Sequence, residues 1–135
     1  MKKLLLLLLL LCSLLVGCSS DEDYIETIKN IPIQNVLESN TTEELAANFI
    51  NKATNLEDVT IFDLEWSIEG KTEKGKMVIA QHGQNKVYFS TYRNGDYIEY
   101  IPLEVYIITS DKQKITLGEI LYNDFMDDFS KAFEF

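Results

Sequence analysis

One histidine, two cysteines and 22 Asp and Glu residues bound the chemistry open to this 135-residue chain. A histidine acting as general base needs an orienting partner on one side and a nucleophile on the other. His82 stands at a strand end beside Gly83, and neither Ser90 nor Asp96 is spaced to complete such a set, so it reads as a surface histidine in a turn. The chain contains no GxSxG, HExxH or CxxC motif and no glycine loop of the phosphate-cradling kind. A lone histidine is too few ligands for zinc. Asp124, Asp127 and Asp128 share one side of the last helix at i, i+3, i+4 spacing. Such a cluster could take Ca²⁺ or a basic partner, but the EF-hand order of ligands and glycine is absent, and it reads as a solvated acidic face. Asp63, Glu65 and Glu69 read the same way. The expectation is a protein that is not an enzyme and carries no cofactor.

The cysteines point to a modification of the chain itself. Met1-Lys2-Lys3 is a short positive start, and Leu4 to Val16 is apolar apart from Cys12 and Ser13. A membrane-spanning helix needs about 20 apolar residues, so this run is too short to span and matches a secretory signal peptide. It ends in Leu15-Val16-Gly17-Cys18, then turns at once to "SSDED". That "LVGC" resembles the lipobox of bacterial lipoproteins: an aliphatic residue, a permissive position, a small residue and cysteine. The resemblance implies cleavage between Gly17 and Cys18, with Cys18 acylated and serving as the new N-terminus. Two acyl chains hold a domain at a bilayer where one holds it only marginally, each buried CH₂ contributing about 0.8 kcal/mol. The expected location is the cell envelope, facing periplasm or exterior. Ser19 after the anchor implies the outer membrane where the organism has one.

Loss of Lys2 and Lys3 with the leader leaves 10 basic against 22 acidic side chains, a formal charge of −12. Phosphate binding is driven largely by Lys and Arg, so nucleic acid is excluded as a partner and anionic headgroups repel the domain. With Cys12 removed and Cys18 acylated, no thiol remains for a disulfide or a metal cluster.

These residues require a scaffold of one α+β domain, expected over residues 41–135 and preceded at 18–40 by the lipidated cysteine, a tether and a docking segment. Ser19 to Asp23 reads as polar tether, and "YIETIKNIPIQNVLESN" as a helical turn and an extended piece broken at Pro32. "TTEE" marks a helix start at Thr41 with Glu44 completing a capping box, and Asn55 as its end. In "VTIFDLEWSIEG" the period changes to two, with Phe62, Leu64, Trp66 and Ile68 on one face. Further strands are expected at Lys76 to His82, Lys86 to Tyr92, Tyr97 to Ile101, Val105 to Thr109 and Lys114 to Leu117. Asn94-Gly95 signals a type I′ hairpin, Gly70 to Gly75 a loop, and Pro102 a bulge or edge feature. Glu119 to Phe133 reads as a last helix, with Leu121, Phe125, Phe129 and Phe133 in one stripe. Tyr88, Tyr92 and Ile98 or Ile108 fall on the face that a half-solvated sheet would keep polar. Such a sheet is covered on both faces, cups something apolar, or packs its tyrosines with their hydroxyls at the surface.

The order of tether, helix "TTEELAANFINKATNLEDV" and strands from "TIFDLEWSIEG" to "DKQKITL" resembles the LolA/LolB-like lipoprotein carriers and their LppX-type relatives. There a helix precedes antiparallel strands that curl into a half-open barrel holding acyl chains. This chain supplies fewer strands than that fold generally uses, and a cystatin- or NTF2-like arrangement fits the same element order. Two functions follow as expectations. One is an anchored protein binding a lipid or other apolar ligand in a curved sheet, with Phe62, Trp66, Tyr88, Phe89, Tyr92 and Tyr100 facing it. The other is an anchored interaction module, such as an accessory subunit, inhibitor or immunity or exclusion lipoprotein, whose acidic surface meets a basic protein partner.

Overall fold

The computed structural model describes residues 21–71 and 75–133. The expected leader 1–17 with its cleavage site at Gly17, the acylated Cys18, Ser19 and the middle of the Gly70 to Gly75 loop lie outside these residues. Within them the fold is α+β, with three helices and an antiparallel sheet of six strands that does not close into a barrel.

Helix α1 (Asp21–Lys29) carries Asp21, Glu22 and Asp23 in its first turn and Lys29 in its last, matching the helix dipole at both ends. Part of the expected tether is therefore helical. Tyr24 and Ile28, four residues apart, are buried by the domain, so the docking segment belongs to its core. Beyond it, β1 (Pro32–Val36) and β2 (Ser39–Thr41) form a small hairpin that the sequence reading left as an extended piece. Its turn residues Leu37 and Glu38 both take positive φ, at 49° and 61°. The Asn48 amide donates to the Leu37 carbonyl at 3.1 Å and to Ser39 Oγ at 2.8 Å, which braces that unfavourable backbone.

Helix α2 (Thr42–Thr54) has Thr41 as its N-cap and Asn55, in the left-handed region, as its C-cap. The expected box is displaced by one residue. Thr41 Oγ1 accepts from Glu44 N, but the Glu44 carboxylate accepts from Asn40 N at 3.0 Å, not from Thr41. Leu45, Ala46, Phe49 and Ile50 are fully buried along the face that the i, i+4 spacing predicts.

The main sheet comprises β3 (Glu65–Lys71), β4 (Lys76–His82), β5 (Asn85–Asn94), β6 (Tyr97–Tyr100), β7 (Tyr106–Ile108) and β8 (Lys114–Thr116). Its spatial order is β3-β4-β5-β7-β8, and β6 pairs with the far end of β5. The expected simple meander is therefore interrupted. One edge of the long β5 serves two strands, Thr91 to Asn94 facing β6 and Lys86 to Tyr88 facing β7. Pro102 opens a 3-10 turn, Pro102–Glu104, that redirects the chain from one to the other. The hairpin at Asn94 also differs in kind. Gly95 has φ +63°, whereas Asn94 and Asp96 keep negative φ, so glycine at the first central position makes the type II′ pattern and not I′.

Helix α3 (Leu117–Ala132) starts two residues before the expected Glu119, at a capping box. Thr116 Oγ1 accepts from Glu119 N at 3.1 Å, and the Glu119 carboxylate accepts from Thr116 N at 2.8 Å. Leu117 is buried and its N–H donates to the Val105 carbonyl, so the helix grows out of the sheet's β7–β8 edge.

Candidate functional site

The six residues expected to face a ligand divide among three surfaces. Trp66, Phe89 and Tyr100 come together on the sheet's inner face, where α1 packs on β3 and β6 and α2 on β5. Trp66 stacks on Phe89 with ring centroids 5.8 Å apart, and Phe89 meets Tyr100 edge-on at 5.2 Å. Phe89 and Tyr100 belong to the core that contains Leu45 and Phe49, and the half-buried Trp66 packs against it. Two hydroxyl links tie this core to the N-terminal elements. Tyr100 OH and Thr42 Oγ1 lie 2.7 Å apart, and Thr42 donates on to the Ile31 carbonyl at 3.0 Å. Tyr24 OH and Thr91 Oγ1 are likewise in hydrogen-bond contact across the sheet's inner face. Burial disfavours the Tyr100 phenolate and raises that group above its ordinary value, with the Thr42 hydrogen bond opposing the shift.

Tyr88 and Tyr92 lie on the outer face, as their alternation with Val87 and Phe89 predicts. Across the strands Ser67, Ile79, Tyr88, Tyr106 and Thr116 stand directly opposite one another in a single row. Tyr88 and Tyr106 stack at 4.9 Å, and Ile79 beside them is almost fully buried. The Lys114 ammonium sits 4.4 Å over the Tyr106 ring. Both phenols are raised by burial first and by the nearby Glu69 carboxylate second. Tyr92 donates to Glu99 at 3.2 Å, which raises its phenol as well. On the outer face, therefore, Tyr88 packs on Tyr106, and the Tyr92 hydroxyl is engaged by Glu99. Of the aliphatic residues expected there, Ile108 belongs to the outer face, opposite Lys86, whereas Ile98 packs against the core.

Phe62 sits apart from both groups and is 90% exposed. The apolar alternation runs back through it, but Thr60 and Asp63 close a 3-10 turn, Ile61–Asp63, before the strand begins. The Asp63 carboxylate accepts from Thr60 N at 2.9 Å and from Thr60 Oγ1 at 3.1 Å. These bonds hold it below the ordinary carboxylate value, with His82 contributing a smaller charge effect. His82 itself is half-buried, with Nδ1 enclosed and unpartnered among the described residues. No group of three or more His, Cys, Asp or Glu among those residues could hold a metal ion.

A cleft of about 520 Å³ lies elsewhere, between the β1–β2 turn, the end of α2 and the side of α3. Its walls combine Glu38, Asn48, Asn51, Lys52, Glu57 and Asp124 with Leu37 and Leu56, and expose polar and apolar surface in equal measure. Asn51 is occupied on both sides, donating to the Val59 carbonyl at 2.8 Å and accepting from Val59 N at 3.1 Å. Lys52 and Asp124 bridge the cleft at 3.0 Å.

Sequence reasoning found the α3 stripe but not its setting. Leu121 packs on the core, whereas Phe125, Phe129 and Phe133 are 63%, 51% and 62% exposed. Phe125 stacks on Phe129 at 6.2 Å, Phe129 meets Phe133 at 4.7 Å, and Tyr122 and Met126 are exposed beside them. Every residue from Phe125 to Phe133 is exposed, so the helix runs about 13 Å beyond its last packed turn at ~1.5 Å per residue. A stripe at helical spacing predicts burial only if something lies alongside, and periodicity carries no information about that. No family model matches the chain, and no curated protein or solved structure matches it significantly. No helix among the described residues is long and apolar enough to cross a membrane.

Proposed function

We propose that the protein is a bacterial envelope lipoprotein, anchored through acylated Cys18, whose domain works as a protein-interaction module and not as a carrier of an apolar ligand. One observation carries the choice. The aromatic residues best placed to line an acyl pocket, Trp66, Phe89 and Tyr100, are engaged with one another on the inner face of the sheet. A ligand there would have to separate a close-packed core, at a cost comparable to making a cavity of its own size. Five of the ten large apolar side chains exposed among the described residues, Tyr122, Phe125, Met126, Phe129 and Phe133, stand together on α3, on the outside of the domain. Contiguous exposed aromatic side chains of this kind mark interaction surfaces. The formal charge of −12 on the chain without its leader supports a basic partner and long-range steering toward it.

Trp66, the one tryptophan, reports on the choice directly. Residues 19–135, titrated with oleate and with phosphatidylglycerol micelles, should show no saturable change in Trp66 emission. A saturable change at stoichiometric ligand would overturn the module reading in favour of a carrier. The anchor is tested separately: Cys18→Ser should accumulate as unprocessed, unacylated precursor, and maturation of that variant into the membrane fraction would refute acylation at Cys18.

A further inference from the structure

We propose that the projecting half of α3 is itself the docking element, entering an apolar groove with a basic rim on a partner protein of the envelope. This rests on the interaction-module reading above and specifies its surface, its geometry and the chemistry of its partner.

The face is built for insertion. At 100° per residue Tyr122, Phe125, Met126, Phe129 and Phe133 fall within one arc of about 100°. Anchors at i, i+4 and i+8 are the pattern by which a helix is read from a groove. The first turns of the helix are held by Leu117 in the core and by the Lys52–Asp124 bridge, so the projecting part is presented from a fixed base. A helix already formed loses less conformational freedom on docking than a segment that must fold.

Charge selects the occupant. Asp128 borders the apolar arc and Asp127 lies beyond it, and neither makes a hydrogen bond or ion pair among the described residues. The helix carries Glu119, Asp124, Asp127 and Asp128 against Lys131. A second copy of this chain would bring the same acidic border into contact, and an anionic bilayer would repel it. A protein groove rimmed by Lys or Arg satisfies both the aromatic face and its border.

The test places photoreactive p-benzoylphenylalanine at position 129 of the full chain in its own cells, and separately at position 106 on the outer sheet face. After irradiation the cross-linked peptides are sequenced. The expected product at position 129 joins a segment of another protein in which apolar residues are flanked by Lys or Arg. It should be lost when Asp127→Lys and Asp128→Lys are combined. Both positions are exposed and near the helix C-terminus, where cations are tolerated, so the variant keeps its fold. Cross-links to this chain's own peptides, to lipid or to a segment without basic residues would overturn the proposal, as would survival of the product after charge reversal. Silence at position 129 with a protein product at position 106 would remove α3 and leave the module reading standing. Silence at both would remove both.

Discussion

Trp66 stacks on Phe89 with ring centroids 5.8 Å apart and planes inclined by 24°, joining the edge strand β3 to the centre of the sheet on its inner face. With Tyr100 edge-on to the same ring, the inner face of the sheet is a core.

Truncation separates this core from the exposed stripe. Phe89 is fully buried, so Phe89→Ala should destabilise the domain by about 3–5 kcal/mol. Phe129 is half exposed and its ring contacts among the described residues are with Phe125 and Phe133 on its own helix, so Phe129→Ala should stay within about 0.5 kcal/mol of the parent. Urea unfolding of the two variants checks the contrast; equal losses would contradict the assignment of core and surface.

The β1–β2 turn holds a second measurable feature. Glu38 is exposed and sits at φ 61°, where a side chain is disfavoured and glycine is not. Glu38→Gly should therefore raise stability by up to about 1 kcal/mol, since left-handed backbone costs roughly 1–2 kcal/mol for an L-residue. Thermal unfolding reads the change, and a lowered Tm would mean that the turn relaxes at little cost.

Tyr100 makes stability fall in alkali. Its phenol is raised above the ordinary value of 10.0 by burial, so between that value and its folded pKa the unfolded chain has released a proton that the native state keeps. Fewer protons are then bound by the unfolded state, and stability declines as pH rises through this window. Below it the contribution is fully present. Tyrosinate absorbance followed alongside chemical denaturation should show one late-ionising tyrosine fewer in native Tyr100→Phe than in the parent, and an unchanged native titration would contradict the assignment.

Much of this architecture was legible because local rules and tertiary packing agree. The period-two runs at Lys76 to His82 and Lys86 to Tyr92 became β4 and β5, and the i, i+4 face of Leu45 and Phe49 became the core side of α2. Misreadings arose where a short polar motif outranks periodicity. Thr60 and Asp63 close a turn that takes Phe62 out of the strand, and Thr116 with Glu119 starts α3 earlier than Gly118 suggests. Pairing of β7 with β5 and not β6 depends on the turn at Pro102 and on spare length in β5, which no single segment reveals. The candidate site was the least legible part. Alternation assigns Tyr88 and Phe89 to opposite faces, yet says nothing of whether a face is filled by its neighbours or left open.

The most direct test of the account is native mass spectrometry of residues 19–135, recovered without the leader and incubated with phospholipid, followed by organic extraction. The account predicts an apo mass before and after incubation and no acyl chain in the extract, because Trp66, Phe89 and Tyr100 already fill the inner face. A stoichiometric acyl ligand surviving in the folded protein would contradict it, and would mean that the sheet opens to admit one.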